Sequence, residues 1–369
     1  MHKPCLFPFV HANIRTKNNK MIAPCWRSDE NLGSLKVDAL SNIWNNDAYE
    51  NLRNKFMNNE LPDGCSRCNK LWENEETRHL SLRAQYEEKF GKYYKDIKER
   101  YELGLPQKLR SLEIRTGAVC NYSCLHCSGE FSTQWRLKVK KHPELIPFQK
   151  DYNYDVQTFT EDMIDDVCEF EDDLDEIRIT GGEPLIDPIL YQLLEKLNGD
   201  VNLLIVSNLS TLKFEKWDAL ELFKKFKSVD IRVSLDGDRQ TYNYFRAGGN
   251  IDNVESNMAK VLEAGVNLSC VTAVNALNIT RLDNIINICN DYGIDHHFIF
   301  VDQRPAYLDI RNIPFKNDIE VSIPKVYEFM HSSPALIGEW ERLENYTDVM
   351  DKINGTDKYT TFPELFGRC

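Results

Sequence analysis

Residues 111–127 read Ser-Leu-Glu-Ile-Arg-Thr-Gly-Ala-Val-Cys-Asn-Tyr-Ser-Cys-Leu-His-Cys. A short β-rich run, 111–115, is followed by a loop that brings Cys120, Cys124 and Cys127 close together. Three thiolates at this spacing can each hold one iron of a [4Fe–4S] cubane, which leaves the fourth iron open to a ligand. A structural cluster or zinc site normally takes four protein ligands, because an open position costs stability unless chemistry needs it. On these residues alone the alternative is a zinc ion completed by His126 or by a distant ligand.

Outward from this loop the chain alternates between β-rich runs and amphipathic segments. Strands are expected at 111–115, 176–180, 203–207, 229–235, 268–274 and 298–301, with helices at 162–170, 188–197, 216–226, 254–264 and 282–292. Six β-α units in series predict a parallel sheet with right-handed crossovers. Six units rather than eight predict an α/β fold of the partial (β/α)6 TIM-like barrel kind. Chemistry in such folds collects at the carboxyl ends of the strands. Those ends carry polar candidates: Gly181, Gly182, Glu183 and Pro184 after the second strand, and Ser207 and Asn208 after the third. Ser234 and Asp236 close the fourth strand and Asn275 the fifth. A glycine pair lets backbone approach a ligand closely. Short polar side chains at strand ends either contact a ligand or cap the strand.

The C-x3-C-x2-C loop after the first strand, followed one unit later by Gly-Gly-Glu-Pro, resembles the radical S-adenosylmethionine (SAM) superfamily. The resemblance implies that Cys120, Cys124 and Cys127 hold a cluster whose open iron binds SAM. It implies that residues 181–184 hold the amino group of SAM, that Ser207, Asn208, Ser234 and Asp236 reach its ribose or carboxylate, and that Asn275 lies by the adenine. Ser234-Leu235-Asp236-Gly237 is similar to a run in the peptide-modifying branch, where an arginine follows that can pair with a carboxylate; Arg246 matches it. The family's aromatic residue before the last cysteine is here His126.

Residues 1–75 are irregular and carry four more cysteines, Cys5, Cys25, Cys65 and Cys68. With Leu32-Gly33-Ser34-Leu35, Ile43-Trp44, Tyr49, Leu52-Arg53, Phe56 and Leu61-Pro62 between them, they resemble the twitch and SPASM modules. Such modules carry an auxiliary [4Fe–4S] cluster and usually follow the barrel, whereas this one precedes it. Four cysteines equally suit one tetrahedral zinc. The expected organisation is a cysteine-rich module at 1–75, a charged helical linker at 76–109, the barrel at 110–302 and a carboxyl-terminal extension packing on the barrel at 303–369. Cys369 is ambiguous, and Phe362-Pro363-Glu364-Leu365 reads as an apolar docking segment.

The chain has 369 residues, eleven cysteines and a formal net charge of −13. That balance argues against a nucleic-acid partner held by charge, since phosphate neutralisation needs clustered Lys and Arg. No signal peptide or membrane-spanning run is evident, so a cytoplasmic setting is expected, where clustered cysteines read as metal ligands rather than disulfides. Cys168, Cys270 and Cys289 read as single buried thiols. One of His296 and His297 is expected to face the barrel interior, and Tyr242, Tyr244, Phe298 and Phe300 wall a substrate cavity or pack the core. The expectation is an oxidoreductase that cleaves SAM reductively and takes a hydrogen atom from a peptide or peptidyl side chain, with flavodoxin or ferredoxin as reductant. The alternatives are the same chemistry on a small-molecule, sugar or nucleoside substrate, and a non-catalytic zinc-binding protein. No general acid or base stands out.

Overall fold

The computed structural model describes residues 4–15, 22–25, 30–75, 78–149, 158–302 and 305–367; Cys369 lies outside them. Among the described residues twelve strands form: β1 His11–Ile14, β2 Ile22–Ala23, β3 Ser111–Arg115, β4 Ser123–Cys124, β5 Glu176–Thr180, β6 Asn202–Ser207, β7 Lys213–Phe214, β8 Trp217–Asp218, β9 Ser228–Ser234, β10 Arg246–Ala247, β11 Asn267–Val274 and β12 Asp295–Phe300. Eight make one sheet in the order β12-β11-β9-β6-β5-β3-β1-β2. The six strands from β3 to β12 in this sheet run parallel, as a partial (β/α)6 barrel requires. β1 continues the sheet in parallel beyond β3, with His11 opposite Ser111 and Asn13 opposite Glu113. The amino-terminal residues are therefore less irregular than their composition suggests. They lengthen the barrel sheet.

Strand alternation separates the two faces of the sheet. Ile177, Ile179, Ile205, Ile231 and Val233 are fully buried beneath the helices, while their alternates Arg178, Thr180, Leu204, Val206, Arg232 and Ser234 are half-buried on the concave face. Each aliphatic residue buried in this way contributes about 1.5–3 kcal/mol. The covering helices start at ordinary signals. Asp187 accepts a hydrogen bond from the Ile189 amide and Pro188 opens the helix Pro188–Lys196, while Asn250 caps Ile251–Glu263. The expected helix at 216–226 is instead a β7–β8 hairpin followed by the short helix Ala219–Phe223. Trp217 stacks on Tyr191 at 5.1 Å between ring centroids, which favours the hairpin over a longer helix.

Two further regions brace the barrel. Trp44 donates its indole N–H to Gln107 O at 2.7 Å, and the fully buried Arg53 guanidinium lies 4.5 Å over the Trp44 ring. At the other end of the chain Phe362 packs edge-on to Tyr244, and Glu364 receives Arg281 and Thr280. Among the described residues no helix is long and apolar enough to cross a membrane.

Candidate active site

The cysteine loop is held through its main-chain carbonyls. Trp135 Nε1 donates to Cys124 O at 2.8 Å, Ser132 Oγ to Tyr122 O at 2.6 Å, Gln149 Nε2 to Cys127 O at 3.0 Å and Tyr346 Oη to Leu125 O at 2.8 Å. Four side chains from three places, the start of the helix Thr133–Lys141, Gln149 and Tyr346, thus fix a segment with almost no regular structure of its own. Burial pushes the Cys124 thiol up to about 12. It raises Cys120 and Cys127 as well; Cys120 raises Cys124 further, and Cys124 with Cys120 raises Cys127. Thiols gathered like this resist ionising until a cation joins them, which is the environment a metal cluster reverses. A single tetrahedral zinc, with Zn–S near 2.3 Å, draws its thiolates to roughly 3.8 Å from one another. Among the described residues the three thiols do not gather within 4.8 Å.

Arg246 is brought to this loop by β10, which pairs antiparallel with β4 and sets Arg246 opposite Cys124. Its Nη1 lies 3.8 Å from Cys124 Sγ and its Nη2 lies 2.6 Å from Asp236 Oδ2. His126 Nε2 is 3.6 Å from the same oxygen. Burial opposes charge on Asp236, but Arg246 and then His126 hold its carboxyl below the usual range. The arginine expected to meet a ligand carboxylate therefore has an internal partner, and also borders Cys124. Arg246 Nε, His126 Nδ1 and the Tyr242 hydroxyl are buried here without hydrogen-bond partners.

Gly181 and Gly182 sit against the start of the cysteine loop. Gly181 has φ +149°, and a Cβ on Gly182 would meet Val119 O at 2.2 Å. Backbone contact explains the pair: Gly182 N donates to Gly117 O at 3.0 Å and Glu183 N to Val119 O at 2.7 Å. The Glu183 side chain turns inward. It accepts from Ser207 Oγ at 2.7 Å, from the Asn208 amide at 2.5 Å and from the Leu185 amide at 3.0 Å. Burial raises its carboxyl, against the pull of those three donors. Pro184 begins the turn Pro184–Ile186. Asn208 Nδ2 also reaches Asn121 Oδ1 at 2.9 Å. Residues 181–184, Ser207 and Asn208 are thus one network leaning on the cysteine loop. Asn121, which sequence reasoning passed over, joins them.

Other candidates are spread around this rim. Ser234 is half-buried on the concave face. Asn275 folds onto its own turn, bonding Ala273 O and the Leu277 amide. His297 pairs in register with Val271 and so shares the concave face with Ser234, while His296 pairs with Cys270 on the helix side. Phe298 and Phe300 share the His296 side, and Phe300 stacks on Phe329. Both are partly buried and pack against the core. Cys270 and Cys289 are not single thiols: with His296 they lie within 4.8 Å of one another behind the sheet.

The amino-terminal cysteines meet at a second place. Cys5, Cys25, Cys65 and Cys68 all line one cavity, walled by Phe7, Pro8, Leu52, Phe56, Leu61 and Pro62. Burial pushes the Cys65 thiol up to about 12 and raises Cys5 more strongly. Arg83 shares the lining, and its charge opposes the rise at both thiols. These four thiols likewise do not gather within 4.8 Å. An apolar cavity with four thiols and one guanidinium suits a four-ligand iron–sulfur cluster. Arg83 had no signal in the sequence, being only one charge in a charged segment.

Comparison with known proteins gives two family matches: the radical SAM superfamily over residues 114–288 and the SPASM iron–sulfur cluster-binding domain over residues 4–69. Among curated proteins the chain is similar to the GTP 3′,8-cyclase of Campylobacter lari, with 25% identity covering 62% of this chain and 69% of that one. It is similar also to a probable GTP 3′,8-cyclase of Methanococcus maripaludis, with 24% identity covering 60% and 70%. Among solved structures, anSMEcpe with bound AdoMet matches at TM-score 0.40 and 14% identity, covering 67% of this chain and 60% of that one. Streptococcus suis SuiB bound to precursor peptide SuiA matches at TM-score 0.41 and 14% identity, covering 86% and 64%. The chain thus spans less than two thirds of the length of these solved proteins.

Proposed function

We propose, of a chain that is a radical SAM enzyme with an amino-terminal SPASM iron–sulfur domain, that it takes a hydrogen atom from a peptide or peptidyl side chain. The observation that carries the reading is the pair of cysteine sets: three thiols where β3 ends, and four around a separate cavity. Cys120, Cys124 and Cys127 hold the cluster that binds SAM, and Cys5, Cys25, Cys65 and Cys68 hold the auxiliary one. When bound, the first cluster would supply the electron for reductive cleavage of SAM and with it the radical chemistry that removes the hydrogen atom. The protein's own part is positional. Gly181 and Gly182 keep the loop at one distance from β5, Arg246 places positive charge beside Cys124, and Ser234 with main-chain groups of residues 181–184 offers polar contacts to SAM. The electron comes from an external donor such as a flavodoxin or ferredoxin.

A nucleotide is the second reading of the substrate, favoured by the similarity to GTP 3′,8-cyclases. Anaerobic iron and zinc analysis with electron paramagnetic resonance tests the shared part. About eight irons per chain and a reduced signal that changes on adding SAM are expected. The Cys124→Ala variant should form no 5′-deoxyadenosine. Zinc alone after reconstitution would overturn the reading.

A further inference from the structure

Three strands of the sheet carry an arginine among apolar residues: Glu113-Ile114-Arg115 on β3, Ile177-Arg178-Ile179 on the adjoining β5 and, across β6, Ile231-Arg232-Val233 on β9. The isoleucines face the helices, so the arginines face the concave side. Register places Arg178 between Glu113 and the apolar Leu204 of β6, with Asp230 beyond Leu204, and sets Arg115 beside Thr180 and Arg232 beside Val206. β1 adds Asn13 to the same face, opposite Glu113.

These donors are short of acceptors. Arg178 Nε is 3.9 Å from Glu113 Oε2 and Arg115 Nη1 is 4.0 Å from Glu130 Oε1, both too long for hydrogen bonds. Arg115 also lies 4.7 Å over the Phe131 ring. Arg232 has Asp230 two residues away on its own face, but among the described residues it makes no ion pair. Asn13 Nδ2, Arg178 Nε, Arg232 Nε and Thr180 Oγ1 are all buried with no hydrogen-bond partner. A buried donor left without an acceptor costs roughly 1–3 kcal/mol, more when charged. Arg178 also repels both Arg115 and Arg232. In a chain of net charge −13, acceptors are plentiful, yet these groups are left without them. Such a set is tolerated where a ligand supplies the missing oxygens.

We propose that the concave face binds an oxyanion of the substrate, a phosphoryl or carboxylate group, between Arg178 and Arg232, with Thr180 as a neutral donor. The planar guanidinium fork suits both groups. The site deepens the reading of this barrel as a radical SAM active site, since it lies below the strand ends where SAM binds in that reading. A nucleotide would present phosphates and a peptide an acidic side chain. The two sources are told apart by the probe.

The reconstituted full-length protein is titrated by calorimetry with inorganic pyrophosphate and, separately, with glutarate, at fixed ionic strength. Pyrophosphate as the tighter probe assigns a phosphoryl group, and glutarate as the tighter probe a carboxylate. In either case Arg178→Gln and Arg232→Gln should each weaken binding about tenfold or more, and Arg232→Lys should restore part of it. Should the variants fold poorly, the bound probe should still protect Arg178 and Arg232 of the wild type from phenylglyoxal, mapped by peptide mass spectrometry. Binding of neither probe to the wild type, or binding that leaves both arginines unprotected, would overturn the proposal. The SAM-dependent resonance signal of the same wild-type sample tests the enzyme reading separately, so failure of one is not failure of the other.

Discussion

Arg246 stands between the Asp236 carboxylate and the Cys124 sulfur. Burial disfavours its charge, yet Asp236 and then Cys124 keep it firmly protonated. Such a pair adds little net stability over an apolar replacement, but removing one partner strands the other. Arg246→Met should therefore cost about 3–5 kcal/mol. The double variant Asp236→Asn with Arg246→Met should recover most of that, because the carboxylate is gone too. Denaturant unfolding of the iron-free protein measures both. A double variant no more stable than the single one would show that Arg246 acts by packing alone. Both residues were legible in the sequence, as a polar strand end and the arginine after it. Their pairing was not, because the turn Tyr242–Phe245 folds Arg246 back onto Cys124, and that closure depends on a β4 partner more than a hundred residues away in sequence.

β1 shows what an element gains from distant partners. His11-Ala-Asn-Ile is too short to announce itself as a strand, and its hydrogen-bonding partner begins at Ser111. By contrast the expected strands at 111–115 and 176–180 match their observed ends, because β-branched alternation and flanking turns are local signals. The concave arginines were legible in the same alternation, as charges inside otherwise apolar strands. On β1 the His11 Nδ1 lies 2.9 Å from Ser111 Oγ and 3.1 Å from the Tyr86 hydroxyl. Burial, helped by the charges of Arg178 and Lys89, pushes the imidazole down to about 3. The unfolded chain, with its histidine at the ordinary 6.5, then binds more protons than the folded one between these values. Stability from this site is complete above about pH 6.5 and falls as pH drops toward 3. Between pH 7.5 and 5 the loss from His11 should be about 2 kcal/mol. Denaturant midpoints at the two pH values should show it, and His11→Gln should flatten the difference. An unchanged pH dependence in that variant would assign the loss to other groups.

At the scale of the molecule, the amino-terminal residues have two separable jobs. Their strand β1 covers the β3 edge of the barrel sheet, and Phe9, Val10, Ile14, Leu40, Ile43, Trp44 and Tyr49 are buried in the common core. Their cysteines line a cavity of their own. Losing seven such side chains removes roughly 10–20 kcal/mol of burial, as much as the entire stability of a typical domain. It also opens a strand edge to self-association. A chain without residues 1–75 should therefore fail to accumulate as folded monomer, as size-exclusion chromatography and limited proteolysis would report. Changing only Cys65→Ala and Cys68→Ala leaves β1 and that core intact. This variant should stay folded, lose about four irons per chain and keep the SAM-induced change in its reduced signal. If it unfolded like the truncated chain, the auxiliary site would be a folding staple. If the truncated chain folded and answered to SAM, the barrel would be independent of the module. The shared sheet and core favour neither outcome: the barrel needs the module's strand, and the strand does not need the module's irons.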